Sequence, residues 1–351
     1  MHRLGAAALL ASTALVMAAC SSTSSSSTPT TAVPNASGVG QPSPFLGGNL
    51  AAVGCGAPSL CVAAGASFDP NPAGAVLTAS TDAGGTWSVV RSSAPASTAF
   101  TSVGCAGASC IAAGQANGAP WAIGATLGHH LAWVPTSPLP GGSGIGAVAC
   151  SDSRLCLVTG GQSPVSSFAT SDAGASWQTL GTLPTSTQAI SHLDCSSRTH
   201  CVGVGVTSSG APVIDRTVDG GATWQSATLP TATSIVLSAA CSSAGRCVAA
   251  ARTGAAGSPE LLLSTDDGAT FTASTSVGAV VTPTAASCRG TTCVLVGADR
   301  AGAAAASAYR GASPASSFTL HYLPTPLVAV SCASSTWCEA ASASSLVSLT
   351  P

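Results

Sequence analysis

At 351 residues, with 6% charged side chains, ten arginines, no lysine and a formal net charge of −2, the chain has no basic cluster and excludes nucleic acid as a partner. Alanine, serine, threonine, glycine and valine dominate, which suits short strands and turns. No stretch has the spacing of a long amphipathic helix.

The chain opens on an export pattern. Arg3 supplies a positive charge, Gly5 to Val16 an apolar run and Met17-Ala18-Ala19 a small-residue cleavage site, so residues 1–19 are expected to be a signal peptide. Cys20 follows directly. The arrangement resembles the bacterial lipoprotein signal, in which that cysteine is acylated and becomes the mature N-terminus. The resemblance implies a protein lipid-anchored to the cell membrane through Cys20 and facing the extracytoplasmic side. The other reading is an ordinary secretory signal followed by a chance cysteine. Residues 20–44 are rich in Ser, Thr and Pro with few large apolar groups. They cannot bury enough surface to offset their ordering entropy and are expected to form a tether.

Residues 45–351 repeat. Fourteen cysteines form seven close pairs: Cys55 with Cys61, Cys105 with Cys110, Cys150 with Cys156, Cys195 with Cys201, Cys241 with Cys247, Cys288 with Cys293 and Cys332 with Cys338. Their first members lie 50, 45, 45, 46, 47 and 44 residues apart. Units of that length match a four-stranded propeller blade. Each unit reads as a short apolar strand, a cysteine loop, a second strand opened by the second cysteine, a variable loop, a third strand and a turn leading to a fourth. The expected fold is therefore an all-β, seven-bladed β-propeller. Close cysteine pairs also occur in zinc and redox motifs. Here the spacing is mostly Cys-x5-Cys, each pair sits in its own unit and the chain is exported, so seven intra-blade disulfides are expected, with no metal and no cofactor.

Four turns carry a common box: Ser80-Thr81-Asp82-Ala83-Gly84-Gly85-Thr86-Trp87, Ser171-Asp172-Ala173-Gly174-Ala175-Ser176-Trp177, Thr217-Val218-Asp219-Gly220-Gly221-Ala222-Thr223-Trp224 and Ser264-Thr265-Asp266-Asp267-Gly268-Ala269-Thr270-Phe271. The boxes resemble the Asp-box (BNR) repeat of sialidase-like and related propellers, including photosystem II assembly and stability factors. Asp82, Asp172, Asp219 and Asp266 are expected to accept backbone N–H groups across a hairpin, glycine to take the positive-φ position, and Trp87, Trp177, Trp224 and Phe271 to cover the turn. The second and sixth units have degenerate boxes. The seventh unit ends after three strands, and counting back from Cys55 predicts that part of Thr31–Gly40 supplies its fourth.

In such a meander the cysteine loops and boxes share one face, and the long neutral loops share the other. The box face carries Arg154, Arg198, Arg246 and Arg289, read as solvated loop charges offset by the box aspartates rather than as an anion site. His129-His130 reads as an exposed turn. The long-loop face holds Asp69, Arg91, Arg252, Glu260, Asp299 and Arg300 as its few ionisable groups. A glycosidase needs two carboxylates at a set separation. The resemblance to sialidases further implies an arginine cluster, a tyrosine nucleophile with its glutamate and an Arg-Ile-Pro motif. The chain has two glutamates, Glu260 and Glu339, two tyrosines, Tyr309 and Tyr322, and no such motif. No catalytic residue is assigned.

One unit departs from its siblings. One and three residues before the first cysteine, the other units carry small residues such as Gly54 and Ala52 or Ala240 and Ser238. The fourth carries Asp194 and His192. Both side chains point to one face of an inner strand. They read either as a hydrogen-bonded structural pair or as ligand contacts at the channel. The function expected from the sequence is a monomeric, non-catalytic, membrane-tethered binding or scaffold module with a protein or glycan partner. The alternative is a carbohydrate-binding or glycoside-hydrolysing propeller.

Overall fold

A computed structural model describes residues 43–44 and 48–351, apart from 58–59, 68–74, 91–94, 96–97, 118, 128–130, 142–143, 153–154, 162–163, 275–277, 311–313, 321–322 and 324. Cys20, residues 31–40, Asp69, Arg91, His129, His130, Arg154 and Tyr322 lie outside the described residues. The described chain forms seven antiparallel four-stranded sheets, each a meander, and is a seven-bladed β-propeller. The inner strands are Gly48–Ala57, Thr98–Ala106, Ile145–Asp152, Thr187–Cys195, Thr233–Cys241, Thr282–Arg289 and Leu327–Ser334.

The seventh sheet is completed from the other end of the chain. Ser43 and Pro44, assigned to the tether by the sequence reading, pair antiparallel with Leu346 and Ser345. Blade seven therefore takes its outermost strand from the residues that precede blade one.

The core is distributed rather than central. Seven buried clusters of Ala, Val, Leu and Ile occupy the seven interfaces between neighbouring blades. All seven expected disulfides are present. Cys55 is bonded to Cys61, Cys105 to Cys110, Cys150 to Cys156, Cys195 to Cys201, Cys241 to Cys247, Cys288 to Cys293 and Cys332 to Cys338. Each bridge joins directly opposed residues of the first and second strands, at Cα–Cα distances of 3.9 to 4.1 Å. Each closes a short hairpin, and a loop of that size contributes on the order of 2 kcal/mol in the chain-entropy picture.

The four boxes share one hydrogen-bond scheme. In the first, Ser80 Oγ donates to Asp82 Oδ1 at 2.8 Å and accepts the Gly84 N–H at 2.9 Å. Asp82 Oδ1 accepts the Thr86 N–H at 2.8 Å, and Thr86 Oγ1 donates to Oδ2 at 2.6 Å. The third blade corrects the sequence reading: the leading hydroxyl is Thr170, not Ser171, with Thr170 Oγ1 donating to Asp172 Oδ1 at 2.7 Å. The turns need two successive positive-φ residues, and the first is often not glycine: Ala83 and Gly84 have φ of 58° and 78°, Asp267 and Gly268 57° and 78°. The hydroxyl and N–H of Thr86 hold Asp82 down at about 2, and the hydroxyls of Thr270 and Ser264 hold Asp266 there too. These aspartates are bonded within their own boxes.

Candidate functional site

A β-bulge interrupts all seven inner strands four residues before the first cysteine. In six blades the extra residue turns its side chain towards the central channel; in blade three it is Gly146. Ala51, Thr101, Ser191, Leu237, Thr284 and Val328 thereby line a channel segment of about 270 Å³. The neck of the ring is small and uncharged.

Nearer the disulfides the channel narrows to about 70 Å³ and becomes polar, with His192, Asp194, Ser287, Arg289 and Ser331 in its wall. In five of the seven blades a residue one or three before the cysteine ties the blade to the next. Ser331 Oγ accepts the Cys55 N–H at 2.9 Å, Ser287 Oγ accepts the Cys332 N–H at 3.1 Å, and Ser102 and Ser238 accept the Val148 and Ala286 N–H groups, both at 3.1 Å. Asp194 does in blade four what serine does in blades six and seven: its carboxylate accepts the Cys241 N–H. The second cysteines stand apart from this wall. Cys61, Cys110, Cys156 and Cys338 are buried, line neither channel segment and are bonded within their hairpins.

His192 and Asp194 keep partial access to the channel but are surrounded by protein. Their bonds run to blade five. His192 Nε2 lies 3.1 Å from Ser238 Oγ, while His192 Nδ1 and Asp194 Oδ2 find no hydrogen-bond partner. Burial pushes His192 down to about 4, so the imidazole is neutral. Burial pushes Asp194 up to about 6, against the opposing pull of Arg289 and the Cys241 N–H. Arg289 differs from its expected role as a solvated loop charge. It turns inward and its Nη1 donates to the Cys195 carbonyl at 3.0 Å. Arg246 instead donates to the Arg310 carbonyl at 3.0 Å.

A wide cavity lies on the long-loop face. It measures about 810 Å³ and spans blades two to four. Its wall combines Gln115, Thr159 and Gln188 with Ile145, Val165, Ile190 and Val206, over a floor of Gly144, Gly146, Gly160 and Gly161. A second hollow of about 350 Å³ shares Pro120, Gly144 and Ile145 with it and adds Trp121, Pro138 and Leu139. Neither wall contains an ionisable side chain, so two catalytic carboxylates do not converge among these residues. Of the ionisable loop groups of that face, Asp299 closes a turn: its Oδ1 accepts the Ala301 and Ala303 N–H groups at 2.8 and 2.9 Å.

Two buried carboxylates escaped the sequence reading as sites. Asp215 sits inside blade four, where Thr187 Oγ1 donates at 2.6 Å and Ser226 Oγ at 2.7 Å; burial raises its pKa. Glu339 is fully buried in blade seven. Its signal was present in the repeat, since the residue after the second cysteine is Val, Ile or Leu in the six other blades. Among the described residues no cluster of three or more His, Cys, Asp or Glu is placed to hold a metal ion.

No family model and no curated protein sequence matches the chain. Solved structures do. YCF48 bound to a D1 peptide is 14% identical with a TM-score of 0.64, covering 89% of this chain and 96% of that one. YCF48 from Cyanidioschyzon merolae is 13% identical with a TM-score of 0.62, covering 89% and 98%. A streptogramin B lyase is 9% identical with a TM-score of 0.62, covering 88% and 97%. At these identities the likeness is one of fold.

Proposed function

We propose that this propeller is a non-catalytic binding or scaffold module, anchored through Cys20 outside the cytoplasm, that seats an uncharged segment of a partner protein on its long-loop face. One observation carries the proposal: the cavity across blades two to four has an uncharged wall that combines side-chain amides and glycine backbone with aliphatic surface. Such a wall suits a neutral extended chain, which offers its own backbone donors and acceptors. His192 and Asp194, at the foot of the channel, are proposed as polar contacts for a group reaching down through the neck. The seven disulfides favour an oxidising compartment, and YCF48, similar in fold, has been solved with a peptide.

The test is a capture followed by a titration. Protein recovered with the full chain from membranes is mapped to the segment that binds, and that segment is titrated calorimetrically against Val206→Arg, in the cavity wall, and Val218→Arg, in a box turn. Binding weakened at least tenfold by Val206→Arg and unchanged by Val218→Arg is expected. The reverse pattern overturns the proposal.

A further inference from the structure

Glu339 lies at the seam between the last blade and the first. In blades three and four the residue that follows the second cysteine packs beneath the box glycine of the next blade. Leu157 Cδ1 and Val202 Cγ1 stand 3.0 and 3.4 Å from where a Cβ on Gly221 and Gly268 would sit. The corresponding residues Val62, Ile111, Leu157, Val202, Val248 and Val294 are all apolar and buried. At the closing seam the place is taken by Glu339, whose Oε2 stands 2.7 Å from the same point on Gly84.

The carboxyl group is half satisfied. Ser348 Oγ lies 2.7 Å from Oε2 and 3.4 Å from the Ala83 carbonyl of the box turn, while Oε1 has no hydrogen-bond partner. Trp87 Nε1, in the same box, has none either. Among the described residues no cation compensates a charge here. The strands packed on Glu339, from residues 48–57, 60–67, 75–80, 327–334 and 345–349, carry no titratable side chain. The box turn contributes Asp82, another acid, whose oxygens are bonded to Ser80 and Thr86.

We propose that Glu339 is a proton-operated latch on the closing seam: neutral, it holds blade seven against box one, and ionised, it loosens that seam while leaving the other six unchanged. A carboxylate without a counter-charge in a fully packed interface is costly, so ionisation must be coupled to an opening that admits water. Burial pushes Glu339 up to about 8, which sets the range over which the latch works. In the opened seam the group returns to its ordinary acidity, so the population of the opened form rises about tenfold per pH unit between about 5 and about 8, then levels.

The test is hydrogen–deuterium exchange on the full, oxidised chain from pH 5.5 to 9, corrected for the intrinsic pH dependence of exchange. Peptides covering residues 80–90 and 345–349 report the closing seam; residues 109–116, between blades two and three and away from His192 and Asp194, report a control seam. The closing seam is expected to open about tenfold more per pH unit up to about pH 8, with the control flat. Glu339→Val restores the residue type of the other blades and is expected to abolish the dependence, as is Glu339→Gln. Should Glu339→Gln fail to fold, Glu339→Val and the two-seam comparison in the unaltered protein carry the test. An identical pH dependence in the unaltered protein and the variants, or in both seams, overturns the proposal.

Discussion

Asp194 is an expensive way to make a bond that serine makes elsewhere. Ser287 and Ser331 hold the neighbouring blade's cysteine N–H at the equivalent position with a hydroxyl. Asp194 holds the Cys241 N–H with a carboxyl group that burial pushes from 3.8 up to about 6. The sign follows from linkage. An acid whose pKa is raised on folding costs nothing below its unfolded pKa, costs progressively more as pH rises towards the folded value, and a constant amount above it. Two pH units at about 1.4 kcal/mol each give a penalty of about 3 kcal/mol at neutral pH. Asp194→Ser keeps an acceptor for Cys241 and removes the buried charge. It is expected to stabilise the propeller by about 2–3 kcal/mol at pH 7, to leave stability unchanged at pH 3.5, and to make the decline between about pH 4 and pH 6 shallower by about 1.4 kcal/mol per pH unit, the fall that Glu339 contributes remaining. Urea unfolding of the oxidised protein across pH 3.5–8 measures all three. A variant no more stable at pH 7, or one whose decline between pH 4 and pH 6 is as steep as that of the unaltered protein, would refute the reasoning. A stabilised variant that loses affinity for the captured segment would identify Asp194 as a residue that trades stability for binding.

Further outcomes follow from the repeat. Thr217→Val leaves the Gly221 N–H without its acceptor, now at 2.9 Å in a buried turn, and is expected to cost about 1–3 kcal/mol in chemical denaturation, with Thr217→Ser close to neutral. Replacing Cys195 and Cys201 together by serine is expected to lower stability by about 2 kcal/mol while blades remote from blade four keep their exchange protection, because the bridge closes only its own hairpin. Cys20→Ser is expected to abolish incorporation of an alkyne-labelled fatty acid and to release the protein from the membrane fraction.

The features readable from the sequence were local ones. Cysteine spacing and the boxes each report a single hairpin, whose geometry is set by residues a few positions apart. Their common phase gave the blade count. Features set between blades were hidden. The bulge at Ala51 and its six counterparts has no fixed residue type, because the side chain it frees faces a channel that accepts alanine, threonine, serine, leucine or valine alike. The inward turn of Arg289 depends on a carbonyl two blades away, at Cys195. The third box reads one residue out of register in the sequence because Ser171 is also a hydroxyl amino acid; only the bond to Asp172 distinguishes Thr170. Glu339 was visible as the odd residue in a column of Val, Ile and Leu, but its meaning rests on the blade-seven to blade-one contact that ring closure creates.

Whether the long-loop face receives the partner is decided by hydrogen–deuterium exchange on the full chain with and without the captured segment. Protection concentrated at residues 144–146, 159–161 and 188–190, with the box turns unchanged, is the predicted result. Protection confined to the boxes around Asp82, Asp219 and Asp266, with the cavity wall unchanged, would contradict it.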